Sequence, residues 1–328
     1  MGIYKTRPRQ FPAVSPFSRR ECLKVLGLAL LGSPALAAQA DQWRAKAKQN
    51  LKLGIFTSVY SRLPLAEAAR RIQADGFTTV VNNYTFADVR FNPAAPDWQA
   101  VKQIRDAFER QSIELVGLFG YYNVVSPDAA KRKLGEERME LLIANWKRLG
   151  SPNISTETGT FNTKSEWLES PANATEEGYR QCRDALGRLV RLAEKAGAVI
   201  SIEPYWRNVI DSIERAERLF HDINSPALKL VMDPCNFFRK EDLPRMKPML
   251  EEMFRRLGPQ IVIAHAKDVK ASDNGTELPA AGKGVLDYPL YLRLLAQLDR
   301  PLPLLLEHLT LADVPGVKSY LLGQFEKV

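Results

Sequence analysis

The sequence predicts an α/β fold, a single (β/α)8 barrel, on three observations. From Lys52 onward, short β-branched or apolar runs alternate with amphipathic segments; eight such runs occur; and glycines stand just after several of the amphipathic segments, before the next run begins. Strand–helix alternation of this kind builds a parallel sheet. Eight units in roughly 290 residues suit a closed barrel better than an open, doubly wound sheet. No Pro/Ser/Gly-rich linker divides the chain, so one domain is expected over residues 41–328.

The expected strands are Lys52–Phe56, Phe77–Asn82, Ile113–Phe119, Asn153–Glu157, Ala198–Glu203, Leu228–Asp233, Gln260–His265 and Leu302–Glu307. Between them, helical patterns cover Leu65–Ala74, Trp98–Gln111, Ala129–Leu149, Glu176–Ala196, Asp211–Ile223, Leu243–Leu257 and Tyr288–Leu298. In Glu176–Ala196 the residues Tyr179, Cys182, Leu186, Leu189, Val190 and Ala193 recur at three- and four-residue steps, which gives one buried stripe. Gly76, Gly150, Gly197 and Gly258 occupy the positions of helix C-caps.

Ahead of this domain the composition differs. The 328 residues carry 46 Lys+Arg against 38 Asp+Glu, a formal charge of +8. Residues 1–24 hold Lys5, Arg7, Arg9, Arg19, Arg20 and Lys24 with only Glu21 opposing, and the apolar run Val25–Leu36 follows. A charged stretch, a short apolar run and the small residues Ala35-Leu36-Ala37 or Ala38-Gln39-Ala40 are the parts of a secretory signal. The run is too short for a bilayer, which needs roughly 20 residues. Ser18-Arg19-Arg20-Glu21-Cys22-Leu23-Lys24 resembles the twin-arginine export signal S-R-R-x-F-L-K, with Cys22 at the usual Phe. The resemblance implies removal of residues 1–40, the twin-arginine export machinery as a partner and a periplasmic location. No cysteine directly follows the apolar run, so no lipid anchor and no stable membrane attachment are expected.

Removal of residues 1–40 leaves 40 Lys+Arg against 37 Asp+Glu, about +3. That is too little charge for an electrostatic reader of nucleic acid, and no basic run interleaved with aromatics remains. Three cysteines cannot make a disulfide framework.

Chemistry is expected where a barrel holds its active site, at the carboxyl ends of the strands. Four strands end there in a metal-competent side chain: Glu203, Asp233, His265 and Glu307. A buried, unpaired carboxylate costs several kcal/mol, so each needs a partner, and one divalent cation would serve all four. Three carboxylates and one imidazole suit Mn, Mg or Co, whereas structural zinc uses more sulfur and nitrogen. Singly, each residue also reads as an ion-pair or capping group; together they form a constellation, because only three histidines occur in the chain.

The segments Ile202-Glu203-Pro204, Met232-Asp233-Pro234-Cys235-Asn236, His265-Ala266-Lys267-Asp268, Gly282-Lys283-Gly284-Val285-Leu286-Asp287-Tyr288 and Leu305-Leu306-Glu307 follow in that order. They resemble the xylose isomerase-like sugar isomerase/epimerase barrels, including ketose 3-epimerases. The resemblance spans most of residues 50–310 and is specific in its second half. It implies that Glu203, Asp233, His265 and Glu307 bind one divalent metal, and that Glu203 and Glu307 also move protons through a cis-enediolate of a sugar or keto-sugar. Where sugar epimerases of this group commonly carry a His, this chain has Asn236, which hydrogen-bonds but does not titrate. His-x-Lys-Asp resembles the sugar-phosphate branch.

Further candidates for substrate contact are Glu157, Arg207, Asn236, Lys267 and Lys283. For Lys267 a strand-end salt bridge with Asp268 is the alternative, for Lys283 a loop-stiffening role, and for Arg207, Tyr205 and Trp206 a loop anchor. The groups Asn82, Asn83 and Tyr84, and Phe119, Tyr121 and Tyr122, read either as sugar-binding wall or as loop anchors. A 3-keto-glycoside lyase or hydrolase on the same barrel and a non-catalytic carbohydrate-binding barrel are the competing readings. An apurinic endonuclease needs more metals and more His than this chain offers. The sequence leaves monomer and homo-oligomer both open.

Overall fold

Leucine-, valine- and isoleucine-rich runs become the staves of a barrel because each is apolar on both faces, one turned to the helices and one to the barrel axis. In the computed structural model, which describes residues 34–328, eight parallel strands close in the order β1-β10-β7-β6-β5-β4-β3-β2. They are β1 (Leu51–Phe56), β2 (Thr79–Asn82), β3 (Glu114–Phe119), β4 (Asn153–Glu157), β5 (Val199–Glu203), β6 (Leu228–Met232), β7 (Ile261–Ala266) and β10 (Leu302–Leu306). The first and last staves pair over five residues, Leu51 with Leu302 through Ile55 with Leu306, and this closes the ring. The expected (β/α)8 barrel is the fold observed, and Trp43–Val328 is one compact unit.

Side chains alternate along a strand with a period of two, so inward-facing residues stack in layers. Phe56, Val81, Val231, Ile263 and Leu305, from five staves, form one apolar layer inside the barrel. Ile55, Val80, Ile154, Ile202, Leu230, Ala264 and Leu304 face outward and are buried under the helices. The inward layer sets the height of the site: two residues beyond Val231, Ile263 and Leu305 lie Asp233, His265 and Glu307.

Helices start on side-chain caps. Asp97, Asp128, Thr175, Ser212 and Asp287 each accept backbone N–H bonds in the first turn that follows. The stripe expected on Glu176–Ala196 is buried in full. Gly150 and Gly197 end their helices at φ 95° and 70°, the left-handed caps expected of them. Gly258 departs from expectation: at φ −48° it continues right-handed into a 3-10 turn.

Other departures are local. Ala129–Leu149, expected as one helix, divides into Ala129–Ala144 and Trp146–Leu149 at Asn145, whose φ is −119° and whose amide donates to Leu141 O at 2.9 Å. Helices Pro34–Asn50 and Val314–Phe325, and an antiparallel hairpin of β8 (Lys270–Ser272) and β9 (Gly275–Glu277), are additional to the expected elements. Strands β6 and β10 stop one residue short of Asp233 and Glu307. The twin-arginine motif and most of its apolar run lie outside the described residues. Among the described residues no helix is long and apolar enough to cross a membrane.

Candidate metal centre and sugar pocket

At the carboxyl ends of β5, β6, β7 and β10 the structure brings Glu203, Asp233, His265 and Glu307 together, one ligand atom from each lying within 4.8 Å of the others. His265 Nδ1 lies 3.3 Å from Glu203 Oε1, 3.4 Å from Glu307 Oε2 and 3.6 Å from Asp233 Oδ2. Separations of this size are those of ligands about a common centre at roughly 2.1 Å. Asp233 and His265 are 1% exposed, so water does not solvate them.

Local folding orients these groups. Asp233 caps the 3-10 turn Pro234–Phe237 through Oδ1, which accepts from Cys235 N at 3.0 Å. Its other oxygen, Oδ2, and His265 Nδ1 are buried without a hydrogen-bond partner. Buried polar atoms are rarely left so, and a carboxylate oxygen beside an imidazole nitrogen fits a divalent ion. Glu203 is held from two sides, by Tyr121 OH at 2.6 Å and Asn236 Nδ2 at 2.8 Å. Tyr291 OH donates to the carbonyls of Met232 and His265 at 3.1 and 3.0 Å, and Tyr288 OH to Lys267 O at 2.8 Å. These two buried tyrosines tie the ends of β6 and β7 to the helix behind. Phe56 packs its ring edge-on to His265 at 5.2 Å.

Lys267 is the cation of the site. Its Nζ lies 2.7 Å from Asp233 Oδ2, 3.0 Å from Glu307 Oε2 and 3.8 Å from Glu203 Oε1. The contact with Asp233 is a charge contact outside hydrogen-bond angles, since Oδ2 keeps no hydrogen bond. Burial opposes charge on Lys267 and His265, but the surrounding carboxylates outweigh it and hold both pKa values well above the usual range. Burial acts on Glu307 in the opposite sense, and Lys267 and His265 overcome it to hold that carboxyl well below the usual range.

Glu203 and Glu307 of the cluster, with Lys267, line a pocket of about 450 Å³, walled by Phe119, Tyr121, Tyr122, Trp167 and Tyr205 with Glu157 among them. Burial first, then the charges of Glu203 and Glu166, push the Glu157 carboxyl up to about 8. His308, also at the pocket, sits at φ 55°, an uncommon backbone conformation for a non-glycine residue, and its Nδ1 meets Leu278 O.

Of the residues expected at substrate, Glu157, Asn236 and Lys267 line this pocket. Arg207 and Lys283 do not. Arg207 lies over the Trp206 ring at 4.4 Å and donates to Trp167 O and Asn274 O at 3.3 and 2.5 Å, so it clamps the rim loops. Lys283 reaches outward to Asp313 Oδ1 at 2.8 Å. The Lys267–Asp268 salt bridge does not form either: Asp268 accepts from the N–H groups of Val269, Leu286 and Gly282 and so fixes the Gly282–Leu286 loop. Trp206 is a buried anchor donating to Thr276 Oγ1 at 3.1 Å. Asn82 and Asn83 accept from Thr57 Oγ1, and Tyr84 donates to Leu149 O, all away from the pocket.

A family model described as xylose isomerase-like TIM barrel matches residues 60–315. The fold is similar to that of a D-tagatose 3-epimerase-like protein, at 19% identity and TM-score 0.65 over 84% of this chain and 97% of that one. It is also similar to 3-keto-D-glucoside 4-epimerase from E. coli, at 16% identity and TM-score 0.62 over 85% and 100%. A xylose isomerase-like TIM barrel protein from Mycobacterium smegmatis, solved in complex with magnesium, aligns at 15% identity and TM-score 0.61 over 85% and 96%. No curated protein matches the chain in sequence.

Proposed function

The chain belongs to the xylose isomerase-like TIM barrel family, and from that membership we propose that it is an exported, divalent-metal-dependent isomerase or epimerase of sugars or keto-sugars. The observation that carries the reading is the Glu203/Asp233/His265/Glu307 cluster, with Asp233 Oδ2 and His265 Nδ1 buried without a hydrogen bond and Glu203 and Glu307 lining a sugar-sized pocket. Three oxygens and one nitrogen suit Mn, Mg or Co.

A divalent ion held by these four residues would polarise a substrate carbonyl and acidify the adjacent C–H. The proton is moved by this chain's own carboxylates. Glu203 ends β5 and Glu307 directly follows β10, with β7 and β6 between these strands in the barrel, and so the two approach a substrate from different sides. One removes the proton and the other returns it on the opposite face of the enediolate, which inverts the carbon; shuttling by a single base isomerises instead. Tyr121 and Asn236 aim Glu203, while Lys267 attends Glu307. The aromatic wall supplies apolar faces for sugar C–H edges and keeps bulk water from the reacting carbon.

A second reading has its own observation. Glu157, at the wall with a pKa of about 8, carries a proton at neutral pH and can donate it to a departing glycosidic oxygen. A 3-keto glycoside would then undergo elimination or hydrolysis after the same proton abstraction. For the amino terminus, Ser18–Lys24 supports twin-arginine export to the periplasm.

The test is an NMR screen in deuterated water over ketoses, sugar phosphates and 3-keto glycosides. The expected result is metal-dependent exchange of one carbon-bound proton, about one divalent ion per chain, and loss of exchange in Glu203→Gln with the fold intact. If no member of the panel exchanges a proton with the metal-loaded wild type, the isomerase reading is wrong even where metal is bound.

A further inference from the structure

We propose that Lys267 is a resident counter-cation of the centre, competing with a divalent ion for the carboxylates of Asp233 and Glu307, so that metal binding expels the ammonium into the sugar pocket. The inference rests on the metal reading above and concerns what this chain adds to it.

The geometry makes the competition unavoidable. A bound ion must lie at roughly 2.0–2.2 Å from its oxygen ligands. Lys267 Nζ is already 2.7 Å from one of them, Asp233 Oδ2, and 3.0 Å from another, Glu307 Oε2. An ion on Asp233 Oδ2 therefore cannot be further than about 5 Å from the ammonium. At that range, in a site where Asp233 and His265 are 1% exposed, a divalent ion and an ammonium repel each other strongly. The ammonium's contact with Asp233 also lacks hydrogen-bond geometry and leaves Oδ2 without a hydrogen bond, as a charge standing in for a better-fitting cation would.

Where the ammonium can go is restricted. The Lys267 backbone is pinned: its carbonyl accepts from Tyr288 OH at 2.8 Å and Cys235 Sγ at 3.4 Å, and the residue bridges to Ala280. Any displacement of the ammonium therefore falls on the side chain. Asp268, next in sequence, is unavailable as an acceptor because three backbone N–H groups occupy its carboxylate. Lys267 lines the pocket, and the pocket is the way out. A sugar oxygen there would accept from the expelled ammonium, so substrate and metal each favour the other's binding, a reciprocal coupling. Without metal, the same ammonium offsets part of the repulsion among the three carboxylates and keeps the cluster assembled.

The test compares Mn²⁺ affinity, by calorimetry on the metal-stripped full chain, for wild type, Lys267→Met and Lys267→Arg. Lys267→Met removes the competing charge and should bind Mn²⁺ at least tenfold more tightly, while Lys267→Arg keeps a cation and the weaker affinity. Equal or weaker binding by Lys267→Met would falsify the competition. Should none of the three proteins bind a divalent ion, the metal reading itself fails and the competition with it, an outcome distinct from equal binding. The wild type gives an answer that needs no variant. Mass-spectrometric labelling by reductive methylation should rise at Lys267 on addition of Mn²⁺, and unchanged or reduced labelling would overturn its expulsion.

Discussion

Asp233 divides its two oxygens between structure and chemistry. Oδ1 satisfies the first N–H of the turn that follows β6, and this fixes the torsion that leaves Oδ2 pointing at His265. Asp233→Asn retains an acceptor for the turn and removes the charge from the inner atom. Metal content measured by mass spectrometry should fall from about one ion per chain to below about one tenth. Tyr121 is a positioning residue in this proposal: its hydroxyl donates to Glu203 Oε2 at 2.6 Å and aims that carboxylate. Tyr121→Phe should lower kcat for proton exchange by about tenfold with KM little altered, since the loss falls on alignment of the base. The four residues of the cluster were legible in the sequence because each ends an apolar run, so strand parity alone puts it inward. Tyr121 read only as one member of an aromatic group, because its partner lies 82 positions away and no local pattern encodes that distance. Arg207 and Lys283 reach away from the pocket for a related reason. Both stand in loops at the correct end of the barrel, but a long cationic side chain goes to whichever carbonyl or carboxylate is nearest, and for these two it lies outside the pocket.

Among the elements, the loop Gly282–Leu286 is held by one buried carboxylate. Asp268 Oδ1 accepts from Val269 N and Leu286 N, each at 2.9 Å, and Oδ2 from Gly282 N at 3.0 Å. The packing is close enough that a Cβ on Gly284 would come within 2.4 Å of Asp268 Oδ1. Asp268→Ala strands those N–H groups and should destabilise the fold by about 2–4 kcal/mol, measurable by urea denaturation. Lys283→Ala in the same loop breaks only an exposed pair with Asp313 and should change stability by less than about 1 kcal/mol. This contrast explains the sequence motif in physical terms: in His-Ala-Lys-Asp the lysine serves the centre and the aspartate serves the loop, two roles that adjacent positions of an extended segment, facing opposite ways, are built to separate. The expected strands and, apart from Ala129–Ala144, the expected helices follow from periodicity, which survives folding. Val314–Phe325 did not, because its apolar residues do not concentrate on one face, and Asn145 broke a helix by side-chain competition that periodicity does not register. The hairpin of β8 and β9 is only three residues per strand and offers no period to read.

At the scale of the whole molecule, the charge that counts is buried. The formal +8 of the chain falls to about +3 over residues 41–328, whereas the pocket gathers Glu157, Glu166, Glu203 and Glu307 around a single Lys267. That excess of carboxylates gives global stability a pH dependence traceable to Glu157. Its carboxyl titrates near 8 in the folded chain against an ordinary value of 4.5, burial being the larger cause and the neighbouring carboxylates the next. Between those two values the folded chain keeps a proton that the unfolded chain has released, so stability is full below about pH 4.5, declines as pH rises through the window, and levels off above about pH 8. Glu157→Gln carries no titrating proton and removes this decline. The side chain is only part-buried at the pocket wall, so water screens the effect well below the full 1.36 kcal/mol per pH unit. In EDTA, urea unfolding of Glu157→Gln and wild type should therefore agree within about 0.5 kcal/mol at pH 5, and the variant should be the more stable by about 1–2 kcal/mol at pH 9. A difference that is the same at both pH values would mean that Glu157 ionises at its ordinary pH in the folded protein, and would remove the proton on which the elimination or hydrolysis reading depends.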